Sequence, residues 1–402
     1  MVSIPEDIIS DILVRLPAKS IGRFRCVSKA WYKLLKGSEF VKMHLNHANE
    51  MNKFNITHHN FTEFHTIGYD PSSSTCSDLV STVNCPLSSD DYRGYGFWGS
   101  CNGLVCLTCC DAREINPPSI VVIWNPCTNE YKKLPISPSE DSIHRVSPTV
   151  RFGLLVRYGF IYDYKMDDFK VVSLGIYNDK YLCEIHVYTL SSNSWRRLED
   201  IHYDLHNHYV TPEFSRVPVN GALHWKAFRE PRGKKTEVIL SFNAEKEISE
   251  EIQMPSLFDG MYCTTLCVLK ESLCLLGYVS LLWVELWELN DCGVKDSWTR
   301  IFNIDIQKLF GHVAHLTPLR SFENDEILFG MDRNNAFNVV LYDPVNDTTR
   351  AVEVHDGMKT FSYCLSVYKE SLVSPNSGTY SRQAEIDEGI DSDSLLQEEG
   401  GS

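Results

Sequence analysis

Trp124-Asn125-Pro126-Cys127-Thr128-Asn129 ends an apolar run in a turn, and the chain repeats this pattern. Tyr188-Thr189-Leu190-Ser191-Ser192-Asn193-Ser194-Trp195 does the same. So do Phe242-Asn243-Ala244-Glu245, Trp287-Glu288-Leu289-Asn290 and Tyr342-Asp343-Pro344-Val345-Asn346-Asp347. The aromatic positions 124, 188, 242, 287 and 342 are 64, 54, 45 and 55 residues apart. That spacing lies near the ~50-residue period of one blade in a β-propeller. Two weaker echoes support it. Residues 266–273 (LCVLKESL) resemble 365–372 (LSVYKESL), and Asn102-Gly103-Leu104 pairs with Asn220-Gly221-Ala222-Leu223, each a turn before a strand.

From about residue 97, short apolar or alternating runs are separated by Gly, Asn, Asp and Pro. Strands are predicted over 104–108, 120–124, 158–162, 170–174, 184–189, 222–226, 238–242, 266–269, 273–276, 284–288, 326–329, 338–342 and 363–367. Helical periodicity longer than ten residues is absent from this region. Such a series suits a sandwich, a barrel or a propeller, and repetition selects the propeller. About six blades are expected. Closure is expected from a C-terminal strand near 363–367 pairing with one from 50–95.

The N-terminus differs. Pro5 suits a first helical turn, and Glu6 and Asp7 place negative charge at the positive end of the helix dipole. Ile8, Ile9, Ile12, Leu13 and Leu16 recur at three-to-four spacing. Pro17 stops that helix. Ser20 is expected to cap a second, Ser28 a third, and Ser38 to open a fourth. About forty residues in short helices make too small a core to stand alone.

Composition excludes other classes. The 402 residues are 43% hydrophobic and 23% charged, with 14 Cys, which is neither a disordered chain nor a disulfide scaffold. No apolar stretch approaches the ~18 residues of a membrane span. No secretion signal is visible at the N-terminus, so reduced thiols in the cytosol or nucleus are expected. The net charge of −15 argues against nucleic acid as main partner. That charge is uneven. Residues 1–48 carry eight bases and four acids, +4, and residues 374–402 carry one base and seven acids, −6. The remaining 49–373 must then hold −13. The expected divisions are a helical module over 1–48, a connecting segment over 49–96 that closes the propeller, the propeller over 97–373, and an acidic disordered tail over 374–402.

The ordered run Ile4-Pro5-Glu6-Asp7-Ile8-Ile9, Ile12-Leu13, Arg15-Leu16-Pro17, Arg23-Phe24-Arg25-Cys26-Val27-Ser28-Lys29, Trp31 and Phe40 resembles an F-box. Ser100-Cys101-Asn102-Gly103-Leu104-Val105-Cys106, Trp124-Asn125-Pro126, Asp168-Phe169-Lys170-Val171-Val172 and Ser194-Trp195 resemble plant F-box proteins with a C-terminal F-box-associated, kelch-like domain. Subgroups include pollen S-locus F-box proteins and regulators of defence receptors. The double glycine of true kelch repeats is missing from the units here. The resemblance implies a multidomain α plus all-β chain, in which a small helical F-box precedes a kelch-like β-propeller. It also implies a non-catalytic substrate receptor of a ubiquitin ligase. A Skp-type adaptor would bind Pro5, Ile8, Ile12, Leu13, Leu16, Pro17, Ile21, Val27 and Trp31, and would lead to cullin and RING subunits.

Substrate contacts are expected from long connections at 135–150, 198–216, 226–237 and 310–320. The second offers His202, Tyr203, His206, His208, Tyr209 and Phe214. The negative body suggests a basic protein partner, although solubility would also explain its charge. No cofactor, metal or catalytic group is expected. Gly94-Tyr95-Gly96-Phe97-Trp98-Gly99 matches a nucleotide fingerprint but lacks the strand before and helix after it. Cys106 and Cys109 form a CxxC without a second pair at zinc spacing. Two rivals remain. One is a propeller glycosidase or oxidase, whose acids, Tyr or His would converge on the axis. The other is an F-box regulator that does not degrade its partner.

Overall fold

The computed structural model describes residues 5–59, 64–70, 75–76, 81–82, 86, 91–113, 117–145, 154–177, 182–205, 216–229, 236–255, 264–280, 282–291, 297–311, 313, 315–333, 336–352 and 364–376. Four helices open the chain: α1 (Glu6–Val14), α2 (Ala18–Phe24), α3 (Lys29–Lys36) and α4 (Ser38–Glu50). Ser28 caps α3, its Oγ accepting from the Trp31 amide at 3.1 Å. Ser20 does not cap α2 but lies inside it, because Pro17 holds the cap position. The first-turn amide of Ala18, which has no partner within the helix, is satisfied from the far end of the chain, by Glu370 Oε2 at 3.2 Å.

Six antiparallel sheets follow. Blade one contains β1 (Phe54–His59), β2 (Phe64–Asp70), β3 (Thr75–Cys76) and β4 (Ser81–Thr82). Blade two has β5 (Tyr92–Cys101), β6 (Leu104–Asp111), β7 (Ile120–Trp124) and β8 (Tyr131–Lys133), followed by helix α5 (Pro138–Arg145). Blade three has β9 (Leu154–Asp163), β10 (Asp168–Tyr177), β11 (Leu182–Thr189) and β12 (Ser194–Arg197). Blade four has β13 (Arg216–Val219), β14 (Ala222–Arg229), β15 (Thr236–Asn243) and β16 (Ile248–Gln253). Blade five has β17 (Thr264–Leu269), β18 (Ser272–Tyr278), β19 (Trp283–Leu289) and β20 (Trp298–Asp305), then the short α6 (Ile306–Phe310). Blade six has β21 (His315–Ser321), β22 (Ile327–Arg333), β23 (Ala336–Asp343) and β24 (Thr348–Val352). The last strand, β25 (Cys364–Tyr368), returns to pair with β1, with Asn55 opposite Tyr368 and His59 opposite Cys364. Among the described residues of 49–96, the last of α4 is followed by the strands β1 to β4 of blade one and the start of β5 in blade two.

The recurring aromatics end the third strand of blades two to six, and Tyr69 takes the same place on β2. The next residue caps the turn in several blades. Asn125 Oδ1 accepts from the amides of Cys127 and Thr128 at 2.8 and 3.3 Å. Asn243 and Asp343 do the same for the amides two and three residues on. Five residues after the aromatic the backbone turns left-handed, at Asn129, Asn193, Glu247 and Asp347. In three of these blades that side chain also accepts from the aromatic's polar tip. Trp124 Nε1 donates to Asn129 at 3.1 Å, Tyr188 OH to Asn193 at 2.7 Å and Tyr342 OH to Asp347 at 3.4 Å. Each large ring therefore fills the core while its one polar atom stays paired.

Asn125 does more than its equivalents. It is fully buried, and Nδ2 donates to the carbonyls of Ser371 and Val373 at 3.0 and 2.7 Å. The stretch 369–376 after β25 thereby lies against blade two. Gly103, at φ +80°, lets it pass, since a Cβ there would sit 2.2 Å from Ser371 Oγ. Replacing Asn125 with Ala orphans two buried carbonyls and two turn amides. Denaturant unfolding should show a loss of about 2–4 kcal/mol, against about 1 kcal/mol for Asn243→Ala, whose amide oxygen serves only its own turn.

Candidate protein-docking surfaces

The helical module carries more apolar side chains than its core accepts. Leu13, Ile21, Leu35, Phe40 and Val41 turn inward and share one core with Leu104, Val121, Tyr158 and Phe169 of blades two and three. Leu13 and Ile21, expected as adaptor contacts, are 3% and 0% exposed and cannot meet a partner. The stripe on α1 is wider than one contact face, so its inner edge is spent on the chain's own core. The outer edge is free: Ile8 is 50% exposed, Ile12 55% and Val27 62%. Pro5 and Pro17 are exposed too, while Leu16 and Trp31 are half-buried. Trp31 packs edge-on against Phe24 at 5.7 Å. These residues form an apolar ledge of the kind that marks an interaction site.

Polar contacts fix the module to the propeller. Lys42 pairs with Asp167 at 2.6 Å, and Lys369 Nζ donates to Asn49 at 2.7 Å. Arg25 reaches Glu130 at 3.8 Å and donates to the Leu35 carbonyl at 3.2 Å. His44 is buried, and Nε2 faces the Leu16 carbonyl at 2.9 Å, so Nε2 carries the proton and holds the α1–α2 loop. Burial pushes the His44 pKa down, and the bond to Leu16 only partly offsets it. Leu372 and Val373 join the shared core.

The module meets the tight turns at one end of the propeller, through Glu130 and Asp167. In an antiparallel four-stranded blade, the connections between strands two and three, and those between blades, must open at the other end. The four expected substrate connections open there, but the structure changes their content. Within 135–150, α5 begins as core. Ser137 Oγ lies 2.6 Å from Ser173 Oγ, Ser139 Oγ lies 3.0 Å from His186 Nδ1, and Tyr158 OH donates to Glu140 at 3.2 Å. Much of 226–237 and 310–320 is strand, in β14, β15 and β21. In 198–216, His202 is exposed. Tyr203 is half-buried and its OH donates to Glu251 at 3.2 Å, so it serves the fold. His206, His208, Tyr209 and Phe214 lie outside the described residues. Sequence reasoning missed an apolar tip between β18 and β19, where Val279, Leu282 and Trp283 are 44%, 46% and 40% exposed. Its signal was an apolar run at 280–284 lying where a turn must fall.

The axial cavity is about 270 Å³ and is lined by residues such as Phe97, Ser100, Thr265, Cys267, Thr317 and Ser366. Among the described residues, no acid, His or Tyr lines it. Cys106 and Cys109 face opposite sides of β6 and join different cores. No cluster of three metal-ligating side chains occurs among the described residues. The Gly94–Gly99 motif lies within strand β5, not at a strand-to-helix turn. Among the described residues no helix is long and apolar enough to cross a membrane.

The chain is thus a four-helix module with exposed apolar side chains, seated on a closed six-bladed propeller. Residues 1–43 match the F-box domain family, and residues 57–375 match the F-box associated beta propeller domain family. The chain belongs to the F-box proteins that carry this propeller. It is 27% identical to F-box protein CPR1 of Arabidopsis thaliana, over 93% of this chain and 88% of that one. It is 24% identical to the F-box/kelch-repeat protein At3g23880 of the same plant, over 93% and 96%.

His224 gives this body a measurable acid sensitivity. It is buried, with Nδ1 3.3 Å from the Val217 carbonyl and Nε2 3.2 Å from Ser241 Oγ. Burial pushes its pKa down to about 4. A histidine depressed in the folded state stabilises the fold above its unfolded pKa, ~6.5, and that stability is lost as pH falls towards the folded value. His224 should account for about 2 kcal/mol of the stability lost between pH 7 and 5 in chemical denaturation, and His224→Gln should remove that part of the slope.

Proposed function

We propose that this chain is the substrate-recognition subunit of a Skp–cullin–F-box ubiquitin ligase. The carrying observation is the ledge of Ile8, Ile12 and Val27, left outside a core that absorbs their neighbours Leu13 and Ile21. A Skp-type adaptor covers that ledge together with Pro5, Leu16, Pro17 and Trp31, and brings cullin and RING subunits with it. The far end of the propeller holds a protein substrate, with His202 and the Val279, Leu282 and Trp283 tip among its contacts. The bound protein is then ubiquitinated and degraded by the proteasome. The chain performs no bond chemistry itself. It raises the local concentration of a substrate lysine beside the charged conjugating enzyme, and rate follows from position. A family of adaptor-linked receptors working in this way fits the cytosol or nucleus.

The test uses the full chain and a purified Skp-type adaptor. The unmodified protein should co-purify with the adaptor as a stoichiometric complex. The triple variant Ile8→Glu, Ile12→Glu, Val27→Glu should lose at least about a hundredfold in affinity while its unfolding midpoint stays put. Leu13→Ala should do the reverse, costing about 2–4 kcal/mol of stability through the cavity it leaves. A folded chain that never binds the adaptor sinks the proposal. Partner half-life with and without proteasome inhibition separates degradation from a purely regulatory hold.

A further inference from the structure

A crevice of about 420 Å³ lies between the helical module and blade one. One wall comes from the α1–α2 loop and α4, the other from β1 and β2. Its apolar lining includes Leu16, Pro17, Met51, Phe54 and Tyr69. Its polar lining is unevenly satisfied. The acids are engaged: Asp70 pairs with Lys53 at 3.1 Å, and Glu370 accepts the Ala18 amide. Arg15, exposed at the edge, forms no ion pair among the described residues. His44 is only 3% exposed and gives its Nε2 proton to Leu16, which leaves Nδ1 as a buried acceptor with no partner. Met51, 49% exposed, adds an apolar flank.

Three demands therefore remain open. A guanidinium lacks an anion, an imidazole nitrogen lacks a donor, and an apolar wall faces solvent. A carboxylate fits the planar fork of Arg15. The volume lies within the ~300–1,000 Å³ of small-molecule sites. We propose that this crevice binds a small organic acid. Its carboxylate meets Arg15, and its apolar body lies on Leu16, Met51 and Phe54. Bound there, the molecule touches both modules and resists their separation. The site shares Leu16 and Pro17 with the proposed adaptor surface, so it is tested on the chain without the adaptor.

The probe is 6-hydroxy-2-naphthoate, followed by its own fluorescence on titration of the full chain. Saturable binding below about 1 mM is expected, with a ligand-dependent rise in the unfolding midpoint. The neutral 6-hydroxy-2-naphthamide should bind about tenfold more weakly or worse, because it lacks the charge-assisted bond. Arg15→Gln should produce the same loss, and Met51→Trp should block the crevice. Both positions are exposed, so both variants should unfold at the unliganded wild-type midpoint. Absence of saturable binding overturns the proposal. So does equal binding of acid and amide, or affinity left unchanged by both substitutions.

Discussion

Pairing of β25 with β1 is the constraint on which the remaining architecture rests. A single four-stranded blade has two greasy faces and two open edges, and stacking six in a ring covers the faces. The ring leaves one gap, which only a strand from the other end of the chain can fill. Tyr368 occupies that place with its ring in the core beside Phe64, Val105 and Trp124. Neighbours hold β25 from both sides. Thr57 Oγ1 donates to the Ser366 carbonyl at 3.2 Å, and Ser100 Oγ donates to the Val367 carbonyl at 2.6 Å. The residues after β25 then run beneath blade two and reach Ala18. The segment that shuts the ring thus also helps to seat the helical module.

How much could be read beforehand depended on burial. The second and third strands of blades two to six are mostly buried where described, and most read as apolar runs. Nine of the ten residues of β10 are buried. The outer strands sit at the rim and carry YKK in β8, SWRR in β12, ISEEIQ in β16 and TTRAV in β24, mostly exposed. Nothing in such segments signals a strand, because their hydrogen bonds come from a neighbour and not from their own pattern. Blade one was partly hidden for a different reason. Its first strand, β25, lies some 300 residues from its second; the echo of 266–273 in 365–372 and the expected closure against 50–95 pointed to that strand, while the short β3 and β4 carried no repeat.

The docking ledge was half legible for a related cause. Periodicity identified the apolar stripe of α1 but could not divide it. Leu13 and Ile12 are adjacent in sequence, yet one is sealed and the other is more than half exposed. That division depends on where α4 and blade two stand. The cap of α2 was equally out of reach, since its acceptor is Glu370. By contrast, Ser28 caps α3 three residues away, as its sequence suggests. Local devices were readable, and devices that join distant segments were not.

The echo between 266–273 and 365–372 also has a consequence for how the protein is made. In blade five, Lys270 and Glu271 form the hairpin turn into the next strand. After β25 the matching Lys369 and Glu370 have no strand to turn into, and they reach Asn49 and Ala18 instead. The helices leave the ribosome first, yet their seat is finished only when residue 373 emerges. At ordinary elongation rates that interval is roughly 15–65 s. Throughout it, the core shared by Leu13, Ile21 and Phe40 lacks Leu372 and Val373, and the Ala18 amide lacks its Glu370 acceptor, so the module is fully seated only after the whole ring has been made.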